Sequence, residues 1–149
     1  MTLDRDSNSF VQSGQRFVAL VYLVLGILGF LPFDFINPMH HSGIGVPYLF
    51  NLVAINALHN FVHLSIGISG LVATRTLAGA QLWGKIAGSI LLLLFILGMV
   101  QAAIEGFPND QLLWGLIPLN SPGHMLHLVS GGLTLYLGLI RTSPTATKS

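Results

Sequence analysis

The chain has 149 residues, of which 52% are hydrophobic and 7% charged, with a formal net charge of +1 and no cysteine. An average soluble domain is roughly 25% charged, so charge cannot cover this surface, and the composition implies a bilayer as the main solvent. The same numbers exclude a disulfide framework and a thiolate metal site, and the lack of a basic cluster excludes a nucleic-acid partner.

In chain order, residues 1–15 are polar, include Asp4, Arg5 and Asp6, and read as a mobile cytoplasmic tail. They lack the basic-then-apolar order and the cleavage site of a signal peptide. The apolar run from Phe17 to Phe33, stopped by Asp34, therefore reads as a span that stays. A spanning helix needs about 20 mostly apolar residues. His40 and His41 follow in a polar stretch that reads as a solvated loop tip. The segment Pro47–Ile55 is apolar but broken, as is Gln111–Leu119, and both read as interfacial segments or short half-helices. The second span begins after Asn56 and ends before Arg75, the third lies between Lys85 and Glu105, and the fourth runs from Pro122 to Ile140. Residues 142–149 read as a second mobile tail. Trp83, Trp114 and Tyr48 read as interfacial anchors. The expected fold is all-α: an integral membrane four-helix bundle occupying 16–141.

Cation placement sets the expected orientation. Arg5, Arg16, Arg75, Lys85, Arg141 and Lys148 all fall in the two tails or the connection between spans two and three. The other loops hold only acidic residues. The positive-inside rule then puts both termini in the cytoplasm, in a bacterial inner (plasma) membrane or a thylakoid membrane.

The second and fourth spans carry related text. Asn56, His63, Gly67 and Leu71 are matched by Asn120, His127, Gly131 and Leu135, each pair 64 apart (56→120, 63→127, 67→131, 71→135). Ile27-Leu-Gly29 is matched by Ile96-Leu-Gly98 at 69 (29→98). The chain therefore reads as two helical hairpins, about 16–75 and 83–141, running the same way as a parallel repeat. Asn56 and Asn120 read as N-caps, whose side-chain oxygen satisfies a free helix N–H. His63 and His127 then sit about 10 Å below the caps, at about 1.5 Å rise per residue.

Imidazoles inside spans are costly to place in lipid and point to function. Three readings follow. The histidines and the glycines one turn deeper are helix-packing glue. Alternatively, His63 and His127 ligate one tetrapyrrole, haem b or chlorophyll, with Gly67 and Gly131 clearing room for the ring. In the third reading His59, His63, His124 and His127, spaced i,i+4 and i,i+3, hold Zn, Cu or Fe. No nucleophile–base pair or phosphate loop is present, so a catalytic role is not expected.

The pattern Asn…His-Leu…Gly, as Asn56, His63-Leu64, Gly67 and again Asn120, His127-Leu128, Gly131, resembles the bacterial and cyanobacterial membrane-protein family catalogued as domain of unknown function 4383. The resemblance implies four spans and brings no activity with it. The expected function is a small non-catalytic accessory or assembly subunit of a larger membrane complex or homo-oligomer, its histidine pair holding one tetrapyrrole. The alternative is a self-contained haem or His-ligated metal protein acting in electron transfer or redox sensing at the outer leaflet.

Overall fold

A long apolar stretch with few helix breakers forms the first element, α1 (Leu3–Gly29). In this computed structural model, residues 3–32, 36, 38, 45–106 and 111–141 are described, with side chains from Asn8 onward; His40, His41 and the tail 142–149 lie outside them. The remaining elements are β1 (Tyr48–Leu49), β2 (Val53–Ala54), α2 (Ala57–Ala73), α3 (Leu77–Glu105), β3 (Gln111–Leu113), β4 (Ile117–Leu119) and α4 (Ser121–Leu139). The protein is mostly helical, with four helices, two of them long and apolar: Asn8–Gly29 and Leu77–Glu105.

Two expectations are corrected. The segment read as a mobile tail is helical from Leu3, and its later polar side chains reach the far ends of α2 and α4. Gln12 Nε2 and Arg16 Nη2 donate to the Thr74 carbonyl at 3.1 and 3.3 Å, and buried Gln15 donates to the Thr134 carbonyl at 2.9 Å. The segments before the caps are not half-helices but antiparallel β-hairpins, pairing Leu49 with Val53 and Leu113 with Ile117. Their turns hold Phe50, Asn51, Trp114 and Gly115 at positive φ, a backbone path that stops a helix. In both turns the same two bonds close the loop: Asn51 N to Tyr48 O and Leu52 N to Leu49 O, then Gly115 N to Leu112 O and Leu116 N to Leu113 O. Each of these atoms is 64 residues from its counterpart.

Packing is strongest within α1 with α2 and within α3 with α4. Small residues bring the backbones together. A Cβ on Gly67 would meet the backbone of Leu23, and one on Gly131 would meet Leu91 and Leu92. Likewise Gly29 lies against the Asn60 amide and Gly98 against the His124 ring. The pairs follow the two offsets seen in the sequence (67→131 with 23→92; 60→124 with 29→98).

The burial pattern of α2 is inverted relative to a helix on a water-facing core. Its buried face is His59, Asn60, His63, Gly67 and Gly70, while Leu58, Phe61, Ile68 and Val72 are exposed. α4 repeats this with His124, His127, Gly131 and Thr134 inside and Met125, Val129, Leu133 and Tyr136 outside. An apolar cluster of Val18, Ala19, Tyr22, Trp83, Ala87 and Leu91 fills the space between α1 and α3. Trp83 is thus a core residue rather than an interfacial anchor, its indole N–H donating to Ser69 Oγ at 3.1 Å. Tyr48 is buried as well, whereas Trp114 is exposed at a hairpin turn.

Candidate metal centre

Helix α2 starts at a well-defined cap. Asn56 Oδ1 accepts from the His59 N–H at 2.8 Å, which fixes the rotational phase of the first turn and turns His59 and His63 to the interior. Asn120 does the same for α4, accepting from the Gly123 N–H at 3.2 Å, and His124 and His127 face inward. Each cap amide also reaches across to the other half. Asn56 Nδ2 donates to Leu116 O and Asn120 Nδ2 donates to Leu52 O, both at 2.7 Å. Asn120 Oδ1 takes a further bond from Ala54 N at 3.3 Å. The counterpart of Ala54 is Pro118, 64 residues on, which has no N–H to give.

With the helix starts locked in this way, His59, His63 and His127 meet. The ring centroids lie 4.3 Å apart for His59–His63, 6.0 Å for His59–His127 and 6.4 Å for His63–His127. One ring nitrogen from each lies within 4.8 Å of the others, and all three side chains are buried. Ring nitrogens about a tetrahedral ion, with Zn–N near 2.0–2.1 Å, stand about 3.3 Å apart. Binding one ion would draw the three nitrogens together by up to about 1.5 Å.

The hydrogen bonding of these rings points the same way. His59 Nδ1 lies 3.1 Å from the Ala54 carbonyl, so it carries the proton and donates, leaving the Nε2 lone pair free. An outer hydrogen bond that sets the tautomer is the usual partner of a metal-ligating imidazole. His59 Nε2, both nitrogens of His63 and His127 Nδ1 are buried with no hydrogen-bond partner. Nearly all buried polar atoms in folded proteins are paired, and each orphan costs about 1–3 kcal/mol. Each neutral ring carries one lone pair, so the three rings together offer three donor nitrogens to an electron-pair acceptor.

Tyr22 of α1 braces the cluster. Its ring stands edge-on to His63 at 5.0 Å, and its hydroxyl shares a 2.7 Å hydrogen bond with Ser130 Oγ on α4. Sequence reasoning missed Tyr22, because nothing in a lone tyrosine of an apolar run marks it as facing a histidine on another helix.

The structure divides the candidate residues. His124 is not in the group: it packs against Gly98 and, at 6.5 Å between ring centroids, against Phe95. Gly67 and Gly131 clear no slot for a macrocycle, since Leu23 fills the space beside the first and Leu91 and Leu92 the space beside the second. With the His59 ring also edge-on to His63 at 4.3 Å, the residues present do not fit a tetrapyrrole between His63 and His127. They fit a single ion.

The described chain is mostly helical with three buried histidines together, and the comparison with known families agrees with the sequence pattern. Residues 12–140 match the family model described as Domain of unknown function (DUF4383), and the chain belongs to that family. No curated protein and no solved structure matches it.

Proposed function

We propose that the chain is a four-span integral membrane protein whose outer half holds one transition-metal ion on His59, His63 and His127. The metal reading is carried by the convergence of His59, His63 and His127, whose ligand nitrogens lie within 4.8 Å of one another; unpartnered ring nitrogens alone do not select them, since those of His124 are unpartnered too. A neutral imidazole is the commonest protein ligand for such ions, and three of them leave a position open for exchange or transfer. The site suits a protein that stores, relays or senses an ion at one face of a membrane.

The membrane reading is supported by the outward faces. Only 33% of the apolar window in α1 and 28% of that in α3 is buried, whereas a core helix of a soluble protein is mostly covered. Large apolar side chains such as Phe17, Ile86, Ile90 and Leu93 point outward, while His59, Asn60 and His63 of α2 and His124, His127 and Thr134 of α4 are buried. By this reading α2, with 17 residues and about 25 Å of rise, falls short of the roughly 30 Å hydrocarbon core. The hairpins above α2 and α4 then sit at the outer interface, where water and headgroups can pair their free backbone edges. The matched contacts at offsets of 64 and 69 support two like halves arranged about the membrane normal.

The test is metal content. Protein purified in detergent, stripped with chelator and re-equilibrated with one metal at a time, is expected to bind one equivalent per chain. His63→Leu and His127→Leu are expected to abolish binding, and His124→Leu to preserve it. Wild-type protein that retains no metal under these conditions would refute the proposal.

A further inference from the structure

We infer that the ion taken by the three histidines is monovalent copper in a three-coordinate site, an assignment that rests on the reading of the cluster as a metal centre. The donors are three uncharged imidazoles, and the charge around them decides the ion. The chain has no cysteine, and its five acidic residues, Asp4, Asp6, Asp34, Glu105 and Asp110, all lie off α2 and α4. Asp4 and Asp6 belong to the start of α1, the end at which Gln12 and Arg16 meet the last turn of α2. Glu105 is exposed at the end of α3, where its carboxylate accepts a hydrogen bond from Gln101 at 3.0 Å. Asp34 and Asp110 fall outside the described residues.

A divalent ion on these rings would bury two positive charges with no carboxylate on either of the helices that carry them. The desolvation cost of an ion rises with the square of its charge, so Zn2+ meets a penalty roughly four times that of Cu+ here. Zinc on three histidines ordinarily recovers part of this by taking a hydroxide as fourth ligand, and hydrolytic zinc sites place a carboxylate base beside that water. Here the neighbouring oxygen is the Tyr22 hydroxyl, and Ser130 engages it at 2.7 Å. Copper(I) has a filled d shell, accepts imidazole, and is satisfied by three nitrogens in a plane. His59, with its Nδ1 held on Ala54 O, offers Nε2; His63 and His127 sit on facing helices to complete the triangle.

The experiment uses the full chain in lipid nanodiscs under ascorbate, titrated with Cu+ alone, with Zn2+ alone, and with both. One Cu+ per chain that a large excess of Zn2+ does not displace, with X-ray absorption showing three nitrogen ligands, is the expected result. His124→Leu, at a ring outside the cluster, is expected to keep the bound Cu+. Zn2+ binding as tight as or tighter than Cu+ overturns the copper assignment and leaves the metal centre standing. Folded protein that binds neither ion overturns both readings.

Discussion

Asn56 and Asn120 each cap their own helix and hold the other half's hairpin, through bonds to Leu116 O and Leu52 O of equal 2.7 Å length. The exchange is reciprocal, as in a two-fold interface where each side gives what it receives. Its effect is to couple the start of each histidine-bearing helix to the opposite half. The rotational phase that brings His63 toward His127 is thereby set across the molecule as well as within each helix.

Asn120→Ala is expected to destabilise the protein by about 2–3 kcal/mol. It removes a cap worth about 1 kcal/mol and strands the Leu52 carbonyl and Ala54 N–H. Asn56→Ala should cost less, since Asn56 is only half-buried and Pro118 supplies no second donor. Asn120→Asp retains the acceptor but not the donor, so it should fall between wild type and Asn120→Ala. Denaturant titration in detergent, followed by circular dichroism, checks the order; an Asn56→Ala variant more damaged than Asn120→Ala contradicts it.

Three glycine substitutions should separate cleanly. In Gly67→Ala the new methyl meets the Leu23 backbone, which cannot move aside, and a loss of about 2–3 kcal/mol is expected. Gly131→Ala should cost about 1 kcal/mol, because its neighbours include the Leu92 side chain at 3.1 Å, which can give way. Gly132→Ala has open space around it and should stabilise α4 by up to about 1 kcal/mol through helix propensity. Melting temperatures of the three variants give the ranking directly.

Much of this was legible in the sequence, and the limits have physical causes. The apolar runs and the Asn caps mark the helices, because hydrophobic length and cap chemistry are local. The hairpins were not legible: a short apolar stretch with Pro and Gly has no periodicity long enough to separate strand from half-helix. The i,i+4 spacing puts His59 and His63 on one face, but which of His124 and His127 joins them depends on the phase and tilt of α4 against α2. The glycines were misread for a related reason. A missing side chain makes room, and sequence alone does not say whether a cofactor or Leu23 takes it.

Metal should act on stability as well as occupancy. An ion that binds only the folded chain, present at about 100 times its Kd, adds about 2.7 kcal/mol. Wild type is therefore expected to melt several degrees higher with metal than after chelation, and His127→Leu to show no difference. A chelator-induced fall of equal size in both proteins would place the ion elsewhere.

Orientation can be read by labelling, since a chain without cysteine gives no background. Ser42→Cys is expected to react with an impermeant thiol reagent added outside intact cells, and Ser149→Cys only after the membrane is opened. The reverse pattern would invert the topology.

The three proposed ligands are divided two to one: His59 and His63 come from α2, His127 from α4. An ion on all three is a staple driven across the seam between the halves, closing a long loop of chain as a disulfide does in a secreted protein. This chain has no thiols with which to make such a crosslink. Its cross-brace would instead be one that the surroundings can install or withdraw, so that the firmness of the outer end follows the supply of metal.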